Sequence, residues 1–299
     1  MSKSVKNLRG LISLMVACVL TSVVWATGNV SAQTCTLDNW TSSVGTEDTL
    51  AAASRAQGNK AYAGPCSLKV TLNSNAAYLV DDTPTAETTF NVRFYFFLQS
   101  VAADVTLFEA IDDSGSTSTS VMSATYDQSE NALNVVFEHS GGTETVPIGP
   151  LTTGWNSLEI QWEAKAAERA VVSLGNSATA SNSAGSAEID TSALTIGSVR
   201  LGAIPSPATV PSSGVIFFDD YDSRRDTVPG RLCRGLTDSS RSALNLEDVQ
   251  AIFAEFATGG GSPASGTPDY DQNGSVDLQD VSDVFSRFAT GQNACSANS

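Results

Sequence analysis

The sequence GWNSLEIQW, residues 154–162, alternates apolar and polar residues from Leu158 to Trp162. This period of two is typical of a β-strand with one buried and one exposed face. Similar short segments, separated by polar turns, are predicted as strands over residues 67–72, 77–80, 89–98, 106–112, 120–126, 132–139, 170–174, 198–202 and 215–221. About ten short strands without a long helical pattern between them indicate a β-sandwich or jelly roll.

Three segments of this region carry a resemblance to a known fold family. They are YLVDD at residues 78–82, followed by Glu87 and by NVRFYF at residues 91–96; the segment 154–162; and FFDDYDSRR at residues 217–225. In pattern and order they resemble the laminin G-like group of the concanavalin A-like lectin/glucanase superfamily. The resemblance implies a mainly β, jelly-roll-type β-sandwich over residues 33–230 that engages a glycan or another surface ligand.

A different pattern follows the sandwich region and consists of two loop-helix units. A shift of 32 residues superposes LEDV at residues 246–249 on LQDV at residues 278–281, and FATG at residues 256–259 on FATG at residues 288–291. Each helix is too short to be stable alone, so the two are expected to pack on each other. The core between them is expected to include Phe253, Phe256, Phe285 and Phe288.

The second unit contains a twelve-residue stretch with the ligand spacing of a calcium loop, DYDQNGSVDLQD at residues 269–280. Oxygen-bearing side chains stand at positions one, three, five, nine and twelve, and Gly274 allows the sharp turn at position six. Ca²⁺ takes six to eight oxygen ligands, which suits this set. The predicted ligands are Asp269, Asp271, Asn273, Ser275 through its backbone carbonyl, Asp277 and Asp280. An Asp-rich solvated turn without metal is the alternative.

The first unit lacks most of these ligands. Thr237, Ser239 and Arg241 stand at its first three ligand positions, and only Asn245 and Asp248 are retained at the later ones. A centre that contains an arginine and few carboxylates should bind a cation weakly or not at all. We therefore expect one calcium site in the whole repeat.

The second loop closes with Asp280, where the usual EF-hand has a bidentate Glu, and in this respect the duplicated units resemble a type I dockerin. That resemblance implies a calcium-dependent docking module, residues 231–299, whose partner is a cohesin-like protein. One filled loop instead of two is a departure from the family pattern. The alternative is that the repeat serves only as a stabilising cap.

The first 32 residues are predicted to be a secretory signal peptide. Lys3, Lys6 and Arg9 precede an apolar run over residues 11–25, and the small residues at 30–32 suit cleavage. No later run approaches a transmembrane length. The mature protein is therefore expected to be secreted, or to lie in the periplasm or at the cell surface, without a membrane span.

Four cysteines remain after the signal peptide and permit three pairings. The expected pairs are Cys35 with Cys66, at the start of the sandwich region, and Cys233 with Cys295, which bracket the helical repeat. Disulfides agree with an oxidising compartment. Zinc is not expected, because the cysteines are used in this way and His139 is the only histidine.

The net charge of the chain indicates which classes of partner it can bind. The chain has 16 basic and 32 acidic residues and a formal net charge of −16. Such acidity disfavours nucleic acid as a partner and favours solubility and cation binding.

The sequence offers little for catalysis. Glu159 and Glu163 share a strand face with Gln161, as the paired carboxylates of glycoside hydrolases do, but charge alternation on an exposed strand gives the same pattern. His139 precedes SGG at residues 140–142, where a surface histidine in a hairpin is expected rather than a general base. We therefore expect no catalytic residue.

A cluster of aspartates near the end of the sandwich region also concerns binding. Asp219, Asp220 and Asp222 could hold a second cation, or they could form ion pairs with Arg224 and Arg225, and the sequence leaves both open.

The tryptophans differ in their expected positions. Trp162 shares a face with Leu158 and Ile160 and is expected in the core, whereas Trp155 follows a turn glycine and is expected to be exposed, as a sugar-stacking residue would be.

Taken together, these patterns predict a secreted, calcium-binding, non-catalytic binding protein whose β-sandwich engages a glycan or surface ligand. The alternatives are an extracellular polysaccharide hydrolase or lyase of the same fold, and a structural component of a cell surface or matrix.

Overall fold

The computed structural model describes residues 34–54, 57–63, 66–176, 182–230, 232, 235–237, 243–258, 268, 270 and 276–290. The predicted signal peptide, Cys233, Cys295 and most of the predicted calcium loop lie outside the described residues. Among the described residues, no helix has the length and apolar character needed to cross a membrane.

Fourteen strands and two helices are present in the described part of the chain. They are β1 (Ser42–Val44), β2 (Leu50–Ser54), β3 (Cys66–Thr71), β4 (Ala77–Asp81), β5 (Thr89–Gln99), β6 (Val105–Asp112), β7 (Thr119–Asp127), β8 (Ala132–His139), β9 (Gly142–Ile148), β10 (Asn156–Glu163), β11 (Val171–Asn176), β12 (Asn182–Gly185), β13 (Ser198–Ile204), β14 (Val215–Arg224), α1 (Leu246–Thr258) and α2 (Leu278–Ala289).

The strands form two seven-stranded sheets within the described residues. The first sheet has the order β1-β4-β13-β6-β7-β8-β9, and the second has the order β12-β11-β10-β5-β14-β3-β2. Neighbouring strands pair antiparallel throughout. The predicted fold class, a mainly β sandwich with two C-terminal helices, is confirmed.

The core lies between the two sheets and is built from the inward side chains of both. Phe94 on β5 of the second sheet lies 5.5 Å, centroid to centroid, from Phe108 on β6 of the first. The alternation predicted for β10 is confirmed, because Leu158 and Ile160 are fully buried and Trp162 nearly so. The polar residues of β5 and β10 therefore lie on the outer face of the second sheet.

Four strands were not predicted from the sequence: β1, β2, β9 and β12. β1 is short and exposed along its length, and β2 is mostly alanine and serine, so neither shows an apolar alternation. β9 contains Pro147 and lies at the edge of the first sheet, which is where a strand tolerates proline.

The two helices share a small core of their own, formed by Leu236, Leu244, Val249, Ile252 and Val284. The expectation that the four phenylalanines form this core is wrong for three of them. Phe253, Phe256 and Phe285 are 45%, 38% and 53% exposed, and only Phe288 packs against the cluster.

The reason lies in two buried aspartates at the helix N-termini. Asp248 and Asp280 are fully buried and accept hydrogen bonds from loop N–H groups. The buried stripe therefore runs through Asp248 and Ile252 in α1 and through Asp280 and Val284 in α2. Residues one position further on, such as Phe253 and Phe285, are turned about 100° away from it.

Candidate functional site

The outer face of the second sheet carries a polar group that we call the Arg93 cluster: Arg93 and Tyr95 on β5, Glu159 on β10 and Asp220 on β14. Glu159 stands opposite Arg93 in the register of β5 and β10. Asp220 lies in an irregularity of β14, where the register with β5 shifts between Asp219 and Asp222. Its φ of 48° is in the left-handed region that non-glycine residues seldom adopt.

Arg93 is the centre of this cluster. Its Nη2 donates to the Asp220 carboxylate at 2.6 Å and to the Asp220 carbonyl oxygen at 3.0 Å, and its Nη1 donates to the carbonyl oxygen of Gly230 at 2.9 Å. The Arg93 side chain is only 3% exposed. A guanidinium with that little exposure is stabilised by its carboxylate and carbonyl partners.

Gly230 and Leu232 contact the cluster through their main chains. The Gly230 N–H donates to Glu159 Oε2 at 2.7 Å, and the Leu232 N–H donates to the Tyr95 hydroxyl at 2.9 Å. Burial raises the pKa of Glu159, against the lowering effects of the Gly230 N–H and of Arg93. Burial also raises the pKa of Asp220, again opposed by Arg93.

Glu163 does not join Glu159 in a catalytic pair. It lies at the exposed end of β10, with Lys165 Nζ 3.5 Å from its carboxylate. Four residues of a strand separate the two side chains by about 13 Å, whereas the two carboxyl groups of glycoside hydrolases lie roughly 5 to 9.5 Å apart. This separation disfavours hydrolysis by these two residues.

An aromatic cluster lies beside the Arg93 cluster on the same face. The rings of Tyr62 and Tyr95 stack with centroids 3.7 Å apart, and Trp155 meets Tyr62 edge-on at 5.8 Å. Trp155 is 1% exposed, so its predicted exposure is wrong. The glycine before Trp155 ends a turn. The indole nevertheless packs against Tyr62, in the segment 57–63, and against Phe97.

The Asp219–Asp222 region contains ion pairs. Asp222 pairs with Arg224 at 2.7 Å and Asp220 with Arg93 at 2.6 Å, while Arg225 pairs with Glu87 at 3.1 Å. Within the described residues no group of three or more His, Cys, Asp or Glu side chains could hold a metal ion. Of the two expected arginine partners, Arg224 is present in an ion pair with the cluster, Arg225 pairs with Glu87 instead, and Arg93 is an unforeseen partner.

Asp219 has a different environment. Its Oδ2 accepts from the N–H groups of Tyr62 at 2.6 Å and Ala63 at 2.9 Å, and its Oδ1 accepts from Asp220 N–H at 2.8 Å. Enclosure by protein nevertheless raises the pKa of Asp219 to about 7, and the neighbouring Asp220 contributes to the rise.

A cavity of about 280 Å³ is lined by residues of both sheets, and we call it the Trp40 cavity. Trp40 and Tyr221 line it with ring centroids 5.1 Å apart. Its polar lining includes Thr36, Asn39, Asp81 and Asp220. Indole, amide, hydroxyl and carboxylate groups in one cavity can stack on an apolar ring face and bond hydroxyl groups.

Cys35 and Cys66 form a disulfide beside this cavity. This is the first of the two predicted pairs, and it ties the segment that carries Trp40 to the start of β3.

His139 lies at the hairpin between β8 and β9, as predicted, paired with Gly142. Its Nδ1 accepts a hydrogen bond from the Gly141 N–H at 3.1 Å. The imidazole thus stabilises the turn.

The helical repeat contains the described part of the predicted calcium loop, Asp277 and Asp280. Asp277 caps α2 and accepts from the Gln279 N–H at 2.7 Å. Asp280 accepts from the N–H groups of Tyr270 at 2.6 Å and Asp277 at 2.7 Å. Asp269, Asp271, Asn273 and Ser275 lie outside the described residues, so their predicted function as ligands stays a prediction.

The Arg93 cluster and the Trp40 cavity were not foreseen as sites. Arg93 is the single charge in the apolar run 92–98 of β5, and a lone charge on a buried strand is a usable signal of a buried polar contact. The Trp40 cavity is assembled from segments distant in sequence, which leaves no local pattern to detect.

Comparisons with known proteins add weak structural likenesses. Neither a known protein-family model nor a curated protein sequence matches the chain. Similar solved structures include a PL-14 alginate lyase from Aplysia kurodai, at 7% identity and a TM-score of 0.48, covering 63% of this chain and 92% of the lyase. An alginate lyase from Pseudomonas aeruginosa has 11% identity and a TM-score of 0.44, covering 61% and 88%.

The cellulose-induced protein Cip1 is similar at 14% identity and a TM-score of 0.37, covering 60% of this chain and 93% of Cip1. At these identities and TM-scores the likeness does not identify what this chain binds or converts.

Proposed function

We propose that this chain is a secreted, non-catalytic binding protein whose C-terminal repeat docks to a protein partner. The observation that carries the proposal is an apolar face repeated on the two helices. Leu246 and Phe253 on α1 are 49% and 45% exposed, and the equivalent Leu278 and Phe285 on α2 are 59% and 53% exposed. Residues seven apart lie on one side of a helix, so each helix presents the same Leu-Phe pair.

The positions beside this face are polar and uncharged: Gln250 and Ser282 lie one turn after Leu246 and Leu278 and are exposed. A partner that fits this face therefore has an apolar patch with hydrogen-bonding groups around it. In the dockerin family, which the repeat resembles, the partner is a cohesin, and a cohesin-like protein is the partner we propose.

Calcium is the proposed cofactor of the repeat. Asp280 suits the closing position of the predicted loop, because its buried carboxylate already joins the loop to the helix start through Tyr270 and Asp277. Carboxylate and carbonyl oxygens at the predicted spacing are the donors that Ca²⁺ prefers. The metal would be held by the loop that precedes α2 and by Asp280 at the start of that helix.

The docking test uses the oxidised mature chain and an isolated type I cohesin module as the probe, titrated by calorimetry with Ca²⁺ and with chelator. We expect calcium-dependent binding that Phe253→Ala and Phe285→Ala together weaken at least tenfold. Ser286→Ala is the control, since Ser286 is exposed but lies about 100° round the helix from Phe285. Absence of binding by the unmodified protein contradicts the docking proposal, and calcium-dependent self-association without cohesin binding favours the structural alternative.

For the sandwich we propose a neutral glycan as the ligand of the Trp40 cavity. Asp219 and Asp220 are held by their N–H donors and by Arg93, which leaves Asp81 as the acidic side chain of the lining that can meet a ligand, on a chain with a formal net charge of −16. A polyanionic chain would be repelled from such a site, whereas the hydroxyl groups of a neutral sugar can donate to the Asp81 carboxylate and to the side-chain oxygens of Thr36 and Asn39.

The glycan test is a binding titration with neutral β-glucan and mannan oligosaccharides and with an oligouronate as the charged comparison. Trp40→Ala should weaken binding of a neutral oligosaccharide at least tenfold. Thr145→Ala, on the exposed edge strand β9, should leave it unchanged. Tighter binding of the oligouronate than of every neutral sugar would contradict this assignment.

A second candidate function is an extracellular polysaccharide lyase or hydrolase, and the observation that favours it is the raised pKa of Glu159 beside Arg93 and Tyr95. Burial favours the neutral form of this carboxyl group, and a neutral carboxyl group can donate a proton as a general acid. Turnover of alginate, or of a plant or algal polysaccharide, that Glu159→Gln abolishes and Glu163→Gln preserves would establish this function. Absence of turnover on the same panel leaves the binding function.

A further inference from the structure

Three side chains of the second sheet bind the main chain at Gly230 and Leu232. Gly230 uses both of its backbone polar groups: its N–H donates to Glu159 Oε2 at 2.7 Å and its carbonyl oxygen accepts from Arg93 Nη1 at 2.9 Å. The Leu232 N–H donates to the Tyr95 hydroxyl at 2.9 Å. These hydrogen bonds use only backbone N–H and C=O groups, which every residue except proline has, so they do not depend on the side chains of the bound residues.

One side chain of the same segment adds an apolar contact. Leu232 packs against the aromatic cluster that contains Tyr62, Tyr95 and Trp155. Hydrogen bonds to the main chain together with a pocket for one apolar side chain are the means by which proteins bind extended peptides.

The sheet face that contacts Gly230 and Leu232 buries polar groups as well as aromatic rings. Arg93 is 3% exposed and Tyr95 1% exposed. Arg93 Nε and Trp155 Nε1 are buried, and within the described residues neither has a hydrogen-bond partner. Burying these polar groups carries a desolvation cost, so the contact depends on the hydrogen bonds that Gly230 and Leu232 supply.

We propose that Arg93, Tyr95 and Glu159 form a main-chain clamp whose ligand is this chain's own backbone at Gly230 and Leu232, and that the clamp fixes the start of the C-terminal repeat to the sandwich. This proposal does not depend on the cohesin, calcium or glycan assignments. It assigns one polar sheet face to intramolecular peptide binding, and it makes the attachment depend on three side chains.

The test is residue-resolved amide hydrogen exchange by NMR on the full oxidised mature chain. In the unmodified protein we expect protected amides at Gly230 and Leu232. Tyr95→Phe removes the acceptor of the Leu232 N–H, so that amide should exchange at least tenfold faster. Glu159→Gln replaces a charged acceptor by a neutral one, and the Gly230 amide should exchange about tenfold faster.

Glu163→Gln is the matched control, since it makes the same change at the exposed end of the same strand and should leave both amides unaffected. The amide of Ile160 on β10 reports whether the sandwich itself has been disturbed. If a sheet variant unfolds the protein, Leu232→Ala, which alters only the bound segment, should still accelerate exchange at Gly230.

Limited proteolysis gives a second measurement. Cleavage between residues 226 and 236 should be several-fold faster in Glu159→Gln and Tyr95→Phe than in Glu163→Gln. Exchange of Gly230 and Leu232 in the unmodified protein at the rate of an unfolded chain would overturn the proposal, as would unchanged exchange in Tyr95→Phe and Glu159→Gln.

Discussion

Asp248 and Asp280 occupy equivalent positions in the two helical units, 32 residues apart, and both are fully buried. Each accepts a hydrogen bond from the N–H three residues before it, at 2.8 Å from Asn245 and at 2.7 Å from Asp277. In the first unit Asp248 also accepts from the N–H and the hydroxyl of Thr237, both at 2.7 Å. Thr237, which donates through its hydroxyl, is therefore the equivalent of Asp269 in the second unit, and an ionised aspartate can only accept hydrogen bonds.

This difference predicts which unit responds to calcium. Asp280→Ala and Asp269→Ala should weaken calcium binding sharply, and Ser239→Ala in the first loop should hardly change it, because only the second loop gathers enough carboxylate charge. Calorimetric titration of the metal-free oxidised protein measures the affinities. Equal losses in all three variants would contradict the single-site assignment.

A second prediction concerns Asp248 as a structural group. Asp248→Ala leaves the N–H groups of Thr237 and Asn245 without their acceptor, which should lower the free energy of unfolding of the repeat by about 1–3 kcal/mol. The calcium affinity of the second loop should stay the same. Chemical denaturation followed by titration of the folded variant separates the two effects, and a large loss of calcium affinity would show that the first unit takes part in binding.

The strands with an apolar alternation were predictable from sequence, and β8 was predicted to the residue. β10 shows why: each of its inward apolar residues belongs to the core between the sheets, so the requirement for apolar core residues leaves a period of two. Trp155 shows the limit of this reasoning. Its exposure depends on the loop that covers the outer face, and that loop is distant in sequence.

The helix faces were mispredicted for a related reason. Apolar spacing places Val249, Ile252 and Phe253 on one broad stripe, but the spacing does not state which edge of the stripe is buried. The inward-facing Asp248 settles that choice, since its hydrogen bonds to the loop fix the rotation of the helix. A polar residue that must be buried is invisible to an analysis based on apolar periodicity.

A third prediction follows from the disulfide between Cys35 and Cys66, which closes a loop with a sequence separation of 31 residues. On the chain-entropy model, replacing both cysteines by serine should lower the free energy of unfolding by about 3–4 kcal/mol. The same change should weaken glycan binding, because the bridged segment carries Trp40. Unchanged thermal stability with intact glycan binding would show that the N-terminal segment is held by its other contacts.

A fourth prediction tests a close approach between β13 and β4. Gly202 has a φ of 148° and pairs with Tyr78, and a Cβ atom at this position would lie 2.6 Å from the Tyr78 Cα. Gly202→Ala should therefore cost about 3 kcal/mol or more from strain and overpacking together. Gly142→Ala is the control, since Gly142 also has a positive φ, 128°, but has open space around it; its cost should be only about 1 kcal/mol. Equal losses would mean that β4 moves to make room.

The last prediction concerns the pH dependence of stability that arises at Asp219. Because the pKa of Asp219 rises from 3.8 to about 7 on folding, the folded protein binds this proton more tightly than the unfolded chain does. The stabilising contribution is therefore complete below pH 3.8 and is lost as the pH rises to 7, at no more than about 1.4 kcal/mol per pH unit.

Asp219→Asn provides the comparison. Asparagine does not titrate, so the loss of free energy of unfolding caused by removing the carboxylate acceptor does not vary with pH. Urea unfolding at pH 4, 5, 6, 7 and 8 should show the unmodified protein losing stability relative to the variant up to pH 7, after which the difference should level off. The opposite slope would mean that the three N–H donors around Asp219 outweigh its burial and hold its pKa below 3.8.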